Sequence, residues 1–248
     1  MALVTISGNR GARLWLFDFD NTLAALECEV DWAASRRELE IFLRPQHVDD
    51  DLFREFPSRN LPLYNALLLR LLAPPDHQIV TAPDRANSVA LMRRASAIVE
   101  AHELRGVARA APLPGATGLL RALVARNNPV AIVTSNSSLP VRRWLDQHQL
   151  LGQVTAIVGR DTLLPLKPAP DMIVRALELC GSTATDAVLV GDSEADLQAA
   201  RRARVGFFGI AASQAASARL NQLGAGEVFS SPADLAASLG LADHPLSG

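Results

Sequence analysis

Five short apolar runs recur along the chain: Leu14-Trp15-Leu16-Phe17, Val130-Ala131-Ile132-Val133, Val154-Thr155-Ala156-Ile157-Val158, Ala187-Val188-Leu189-Val190 and Val205-Gly206-Phe207-Phe208. A strand with one face in water alternates apolar and polar residues. A near-continuous apolar run belongs instead to a strand covered on both faces, the usual state in a parallel sheet. Helical spacing fills the intervals. Leu119, Leu120 and Leu123 mark one face of the segment Gly115 to Arg126, and Trp144 and Leu145 that of Val141 to Leu150. Ile173, Val174 and Leu177 do the same for Asp171 to Leu179, and Glu194 to Arg202 follows the fourth run. This alternation predicts an α/β fold with a doubly wound, Rossmann-like parallel sheet. Beyond Ile210 the Ala/Ser-rich stretch predicts a helix, a short strand at Val228-Phe229 and a last helix from Pro232 to Leu239.

The interval from Ala24 to Ala110 breaks the rhythm. It reads as helix over Asp31 to Leu43, Leu61 to Leu72 and Pro83 to Leu104, and holds no good strand. Pro45, Pro57, Pro62, Pro74, Pro75 and Pro83 cut it into short helices, because proline lacks a donor and clashes with the preceding turn. A helical unit is therefore expected directly after the first strand, with Val107 to Pro114 as the return linker. The domain division that follows is 1–23 with 111–248 for the sheet and 24–110 for the insertion. A length of 248 residues suits one or two domains, and a hydrophobic content of 49% supplies a core. Trp15, Trp32 and Trp144 read as core, and the leucines at 67, 68, 69, 71 and 72 as packing.

Four polar stretches follow apolar segments in a fixed order. Asp18 and Asp20 come two apart after the first run, so in an extended chain they face one side. In open α/β sheets that position borders the ligand crevice at the carboxyl ends of the strands. Two carboxylates there repel each other, and a divalent cation would offset them; Asp20-Asn21-Thr22 also has the composition of a plain turn. Thr134-Ser135-Asn136 ends the second run before a helix starting near Pro140. Hydroxyls and free N–H groups at such a point suit phosphate oxygens, and equally an ordinary loop. Lys167 stands among Pro165, Pro168 and Pro170, which stiffen the loop around one cation. Asp192 and Asp196 follow Gly191. Asp192 could complete an oxygen shell around Mg2+, while Ser193-x-x-Asp196 has the form of a capping box. Together the four stretches predict a site that holds a phosphate and a divalent cation.

Composition narrows the partners. Twenty-four basic and 26 acidic residues leave a formal charge of −2, with no basic stripe for nucleic acid. Residues 1–7 lack the basic start and long apolar segment of a signal peptide. Leu61 to Leu72 is too short and too interrupted to span a bilayer. Only two cysteines occur, Cys28 and Cys180, which fits a reducing cytoplasmic compartment better than a disulfide.

With these residues in hand, the sequence resembles the haloacid dehalogenase superfamily, in its phosphatase branch with a type 1 helical cap, of which phosphoglycolate phosphatase is one kind. The family's Asp-x-Asp-x-Thr motif corresponds to Asp18, Asp20 and Thr22, its hydroxyl to Thr134, its lysine to Lys167 and its acidic motif to Asp192 and Asp196. Asn21 replaces the glycine commonest there, and asparagine tolerates unusual backbone angles. The resemblance implies Asp18 as nucleophile, forming an aspartyl-phosphate, and Asp20 as the acid and then the base. It implies Mg2+ bound by Asp18, the Asp20 backbone carbonyl and Asp192, with Thr134, Ser135, Asn136 and Lys167 on the phosphate. Thr22 and Asp196 would support the loops, Asp196 by orienting Lys167. The insertion would close over the site and choose the leaving group, with Arg36, Arg37, Arg44, His47, Arg59, Tyr64 and Arg93 as candidate contacts. The expected substrate is a small phosphorylated metabolite. A sugar-phosphate mutase or phosphotransferase of the same family, and a non-catalytic binding protein on the same fold, are the competing readings.

Overall fold

The computed structural model describes residues 8–46, 48–72 and 82–241, so the readings on residues 1–7, His47 and Pro74-Pro75 lie outside the described residues. Six strands pair in parallel in the order β3-β2-β1-β4-β5-β6: β1 (Leu14–Phe17), β2 (Val130–Val133), β3 (Ala156–Val158), β4 (Ala187–Gly191), β5 (Gly206–Ile210) and β6 (Val228–Phe229). The apolar runs thus become strands, with two starting later than the run: β5 at Gly206, and β3 at Ala156, where the chain lies at the sheet edge and is only half covered. β1 lies between β2 and β4, with Trp15 beside Val130 and Val188. The chain leaves β1 towards one edge and later returns past it to the other, so β1 is the point where the strand order reverses, the crevice position of doubly wound sheets.

Successive strand residues face opposite layers. Leu14, Leu16, Ala131, Val133, Leu189 and Phe207 pack with α7 (Asp171–Cys180) and α8 (Glu194–Ala203) through Met172, Ile173, Ala176, Leu197 and Ala200. Trp15, Phe17, Ile132, Val188, Val190 and Phe208 pack with α5 (Ala116–Ala125), α6 (Ser138–Gln147) and α10 (Pro232–Ser238) through Leu119, Leu120, Trp144, Leu145 and Leu235. α9 (Gln214–Gln222) adds Leu220 to the first layer.

Among the described residues the insertion after β1, called the cap below, holds four α-helices: α1 (Trp32–Leu43), α2 (Asp50–Glu55), α3 (Asn60–Leu72) and α4 (Ala82–Val107). α2 escapes a periodicity reading because it has six residues; Asp49 starts it by accepting from the Asp51 amide at 2.9 Å. Leu39, Leu43, Leu52, Phe53, Leu63 and Leu67 form the cap's apolar centre, continuous with the sheet layer that holds Leu14 and Leu16. The outgoing and returning chains run side by side, Ala25 N donating to Ala111 O at 3.0 Å and Leu113 N to Leu23 O at 2.9 Å. α6 starts at Ser138, ahead of the expected Pro140, because Asp161 accepts from the Ser138 amide at 2.8 Å and supplies a cap from a distant loop. No helix among the described residues is long and apolar enough to cross a membrane.

Candidate active site

Three strand ends set the site. Asp18 follows β1 directly, its amide donating to Val190 O at 2.9 Å, and its side chain is buried. The chain then turns through Asn21, whose φ of 56° lies in the left-handed region that asparagine tolerates. Leu23 N and Ala24 N both donate to Phe19 O, which closes the turn and buries Thr22. Asp20 Oδ1 accepts from the amides of Leu26 and Glu27 at 3.0 and 2.8 Å. After β4, a Cβ on Gly191 would stand 2.6 Å from Asp196 Cβ, so glycine there lets α8 pack against the strand end. Ser193 and Asp196 form the reciprocal capping box that fixes the start of α8.

Lys167 ties these ends together. Its Nζ donates to Asp18 Oδ1 and Asp196 Oδ1, both at 2.5 Å, and to Val133 O at 3.1 Å. An ammonium has three donors, so all are engaged. Asp196 is fully used as well, since its Oδ2 accepts from Ser193 N at 3.1 Å and from Ser193 Oγ. Asp192 accepts no hydrogen bond from any described residue, yet it sits beside Asp18 and Asp196, the three offering oxygens within 4.8 Å of one another. Asp20 is outside that cluster. The donor set is hard oxygen, one member is unpartnered, and the local charge is negative, so the residues fit a hard divalent cation. Since both Asp196 oxygens are held, Asp18 and Asp192 are the side chains left to hold it.

Burial and charge crowding together shift the carboxyl groups. Burial, then the Asp196 and Asp18 charges, pushes Asp192 up to about 8. Burial raises Asp18 to about 6 even though Lys167 pulls the other way. Burial raises Asp20 to about 7 against its two amide donors. Burial alone would lower Lys167, but the two carboxylates outweigh it and hold its pKa above the ordinary lysine range.

Of the predicted phosphate contacts, Ser135, Asn136 and Lys167 line the cleft. Thr134 is buried behind it, its hydroxyl donating to Asn136 Oδ1 at 3.0 Å and accepting from Asn136 N at 3.1 Å. Asn136 Nδ2 donates to Glu103 Oε1 at 3.0 Å, and Ser137 N to Glu103 Oε2 at 3.1 Å. Glu103, on α4, in turn takes a bidentate pair from Arg160 at 2.8 and 2.9 Å, and both residues are fully buried. Arg160 also donates to Ser135 O at 3.0 Å. The 135–137 loop is therefore clamped between a cap helix and the loop after β3.

The cleft measures about 510 Å³. Its cap side consists of Glu27, Trp32, Ser58, Arg59, Asn60, Leu61 and Pro62. Of the six expected cap contacts that fall among the described residues, Arg59 alone borders it. Arg36 and Tyr64 are buried in the cap, and Arg37 and Arg93 are exposed away from the cleft lining. Arg44 pairs with Glu40 and Asp50. Trp32 corrects the core reading: it is half-buried on the cleft wall, its indole N–H donating to Glu27 O at 3.1 Å. Leu69 corrects the packing reading, standing 37% exposed. The Glu103–Arg160 pair left no local signal, since nothing near either residue announces a partner 57 positions away.

A doubly wound parallel sheet, with an acidic lysine-clamped cleft at its switch point and a helical insertion after the first strand, defines a class of α/β proteins with an inserted helical unit. Residues 15–210 match the family model of haloacid dehalogenase-like hydrolases, and the chain belongs to that family. It is 31% identical over 199 residues to a phosphoglycolate phosphatase of Pseudomonas putida KT2440, covering 80% of this chain and 69% of that protein. A phosphoglycolate phosphatase of Rhodospirillum rubrum is 33% identical over 122 residues, 49% of this chain and 51% of the relative, so the chain spans about half that relative's length. The solved structure of CbbY from Rhodobacter sphaeroides, in complex with phosphate, aligns at a TM-score of 0.56 and 21% identity over 90% of this chain and 96% of that one. At such identity the likeness bears on the fold.

Proposed function

We propose that the protein is a magnesium-dependent phosphatase that hydrolyses small phosphomonoesters through an aspartyl-phosphate on Asp18. The observation that carries this reading is the position of Asp18: buried at the head of the cleft, aligned by Lys167 at 2.5 Å, and followed two residues on by an acid whose pKa lies near 7. An Asp18 oxygen attacks phosphorus and the ester P–O bond breaks. Asp20 gives its proton to the departing oxygen, which leaves as an alcohol. Asp20, now a carboxylate, takes a proton from water, and that water attacks the same phosphorus, freeing inorganic phosphate and restoring Asp18. Lys167 and Ser135, on the cleft edge of the clamped loop, hold the phosphoryl oxygens, with one Lys167 donor exchanged from its carboxylates and Thr134 and Asn136 bracing the loop from behind. Mg2+ would be held by Asp18, Asp192 and the Asp20 carbonyl, and would supply the positive charge that lets a phosphate dianion approach a carboxylate.

The relatives named phosphoglycolate phosphatase support the same reaction class here. We further assign residues 24–110 as the unit that roofs the site and selects the alcohol, with 1–23 and 111–248 as the catalytic unit. The two free thiols, Cys28 and Cys180, suit a cytoplasmic setting. Phosphate release from p-nitrophenyl phosphate, with and without Mg2+, tests the reading. Asp18→Asn is expected to remove turnover by 10³-fold or more, an order-of-magnitude figure for loss of a nucleophile, with an unchanged circular dichroism spectrum. Substantial turnover by that variant would refute the assignment, and an isomerised sugar phosphate in place of free phosphate would point to transfer instead of hydrolysis.

A further inference from the structure

The cleft over Asp18 continues into a second chamber of about 530 Å³. Arg59, Leu61, Pro62, Ser135 and Lys167 border both spaces, yet the two differ in chemistry. Five carboxylates line the first: Asp18, Asp20, Glu27, Asp192 and Asp196. Among the described residues the second has none, and its walls are largely hydrocarbon from Phe56, Ala66, Leu69, Leu166 and Pro168.

This chamber has a defined frame. Asn65 on α3 accepts from the Leu166 amide at 2.9 Å, holding the cap helix against the core loop that carries Lys167. α3 packs Leu63, Tyr64, Leu67 and Leu68 into the cap's centre. Pro62, Ala66 and Leu69 follow one another by single turns on its other side, and they line the chamber. A solvated helix face would carry charge at such positions. Here the apolar stripe lines the chamber that adjoins the catalytic cleft. Each of the two spaces exceeds the ~300 Å³ at which ligand pockets begin, whereas a two-carbon acid would leave the apolar one to water.

We propose that this chamber receives the alcohol portion of the substrate: the protein acts on phosphomonoesters with an extended apolar body, alkyl or aryl, that passes Arg59 and lies along α3. The proposal rests on the phosphatase reading and deepens it. The phosphate stays beside Asp18 and Lys167, and the ester oxygen near Asp20. Each methylene seated against Ala66, Leu69 and Leu166 leaves water and strengthens binding in the transition state by about fourfold.

The test is kcat/KM with Mg2+ for ethyl, butyl, hexyl and octyl phosphate and for 2-phosphoglycolate. The expected result is a rise of about fourfold per methylene until the chamber is full, with hexyl phosphate well ahead of phosphoglycolate. Ala66→Trp, which fills the space, and Leu69→Asp, which places charge on its exposed wall, are each expected to flatten the hexyl-to-ethyl ratio at least tenfold. Leu69→Asp alters an exposed position, so it reads the chamber even where the tryptophan prevents folding. A flat series in the unmodified enzyme, or a chain-length preference that survives Leu69→Asp, overturns the proposal while leaving the phosphatase reading in place. Absence of turnover for every ester overturns both.

Discussion

In the proposed reaction both proton transfers would fall to Asp20. To protonate a departing alkoxide it must hold a proton at working pH, and to activate water it must then have lost it. Burial lifts it to about 7, against the Leu26 and Glu27 amides that favour the carboxylate. That is the range in which one carboxyl serves both steps. Because kcat/KM reports the first step, for which the protonated form is needed, it falls as pH rises through the Asp20 pKa. Asp20→Asn removes the proton donor without changing shape. It is expected to lower kcat/KM for alkyl phosphates by about 10²–10⁴-fold and to abolish that descending limb. Aryl phosphates, whose phenolate leaves with less help, should lose far less. Equal losses for alkyl and aryl esters, measured side by side, would show that Asp20 is not the acid.

Elements decide where such residues stand, and some of this is legible in sequence. An apolar run ending in Asp18 announces a buried strand end, and the run before Gly191 does the same for Asp192. Ser193 three residues before Asp196 gives the start of α8, which then orients Asp196 on Lys167. These are local patterns with a mechanical cause. The Trp32 position is not legible, because an apolar side chain at a helix start packs inward or lines a cleft according to what faces it. The Glu103–Arg160 pair is invisible for a deeper reason: one partner lies near the C-terminal end of α4 and the other just after β3. That pair joins α4 to the 135–137 loop, so its loss should be felt in both. Removing one partner leaves a buried charge unpaired, for which about 3–5 kcal/mol of destabilisation is expected. Glu103→Leu and Arg160→Met should each lose that much in urea unfolding, and the double variant should lose less than the sum of the two, while still stranding the Asn136 and Ser137 donors that Glu103 accepts from. Additive losses in the double variant would mean that the two side chains act independently.

At the scale of the whole molecule, the site works against the stability of its own fold. Burial raises Asp18, Asp20 and Asp192 to about 6, 7 and 8, whereas in an unfolded chain such groups titrate near 4. The folded state thus holds protons that the unfolded chain has released. Their contribution is fully present below about pH 4 and is lost as pH rises through the folded values from 6 to 8. A cation that binds only the folded form reverses the loss, by about 2.7 kcal/mol at a hundredfold excess over Kd. Since it competes with protons for the same oxygens, it should act most strongly at high pH. The melting temperature of the metal-stripped protein is therefore expected to fall between about pH 5 and about pH 8.5. Added Mg2+ should raise it more at the upper end than at the lower. Asp192→Asn removes one of the groups in conflict, so it should shallow the fall and shrink the magnesium response together. A magnesium shift that ignores pH, or that persists at full size in Asp192→Asn, would separate the ion from this cluster. In that event the crowding of carboxylates around Lys167 would need another explanation than cation binding.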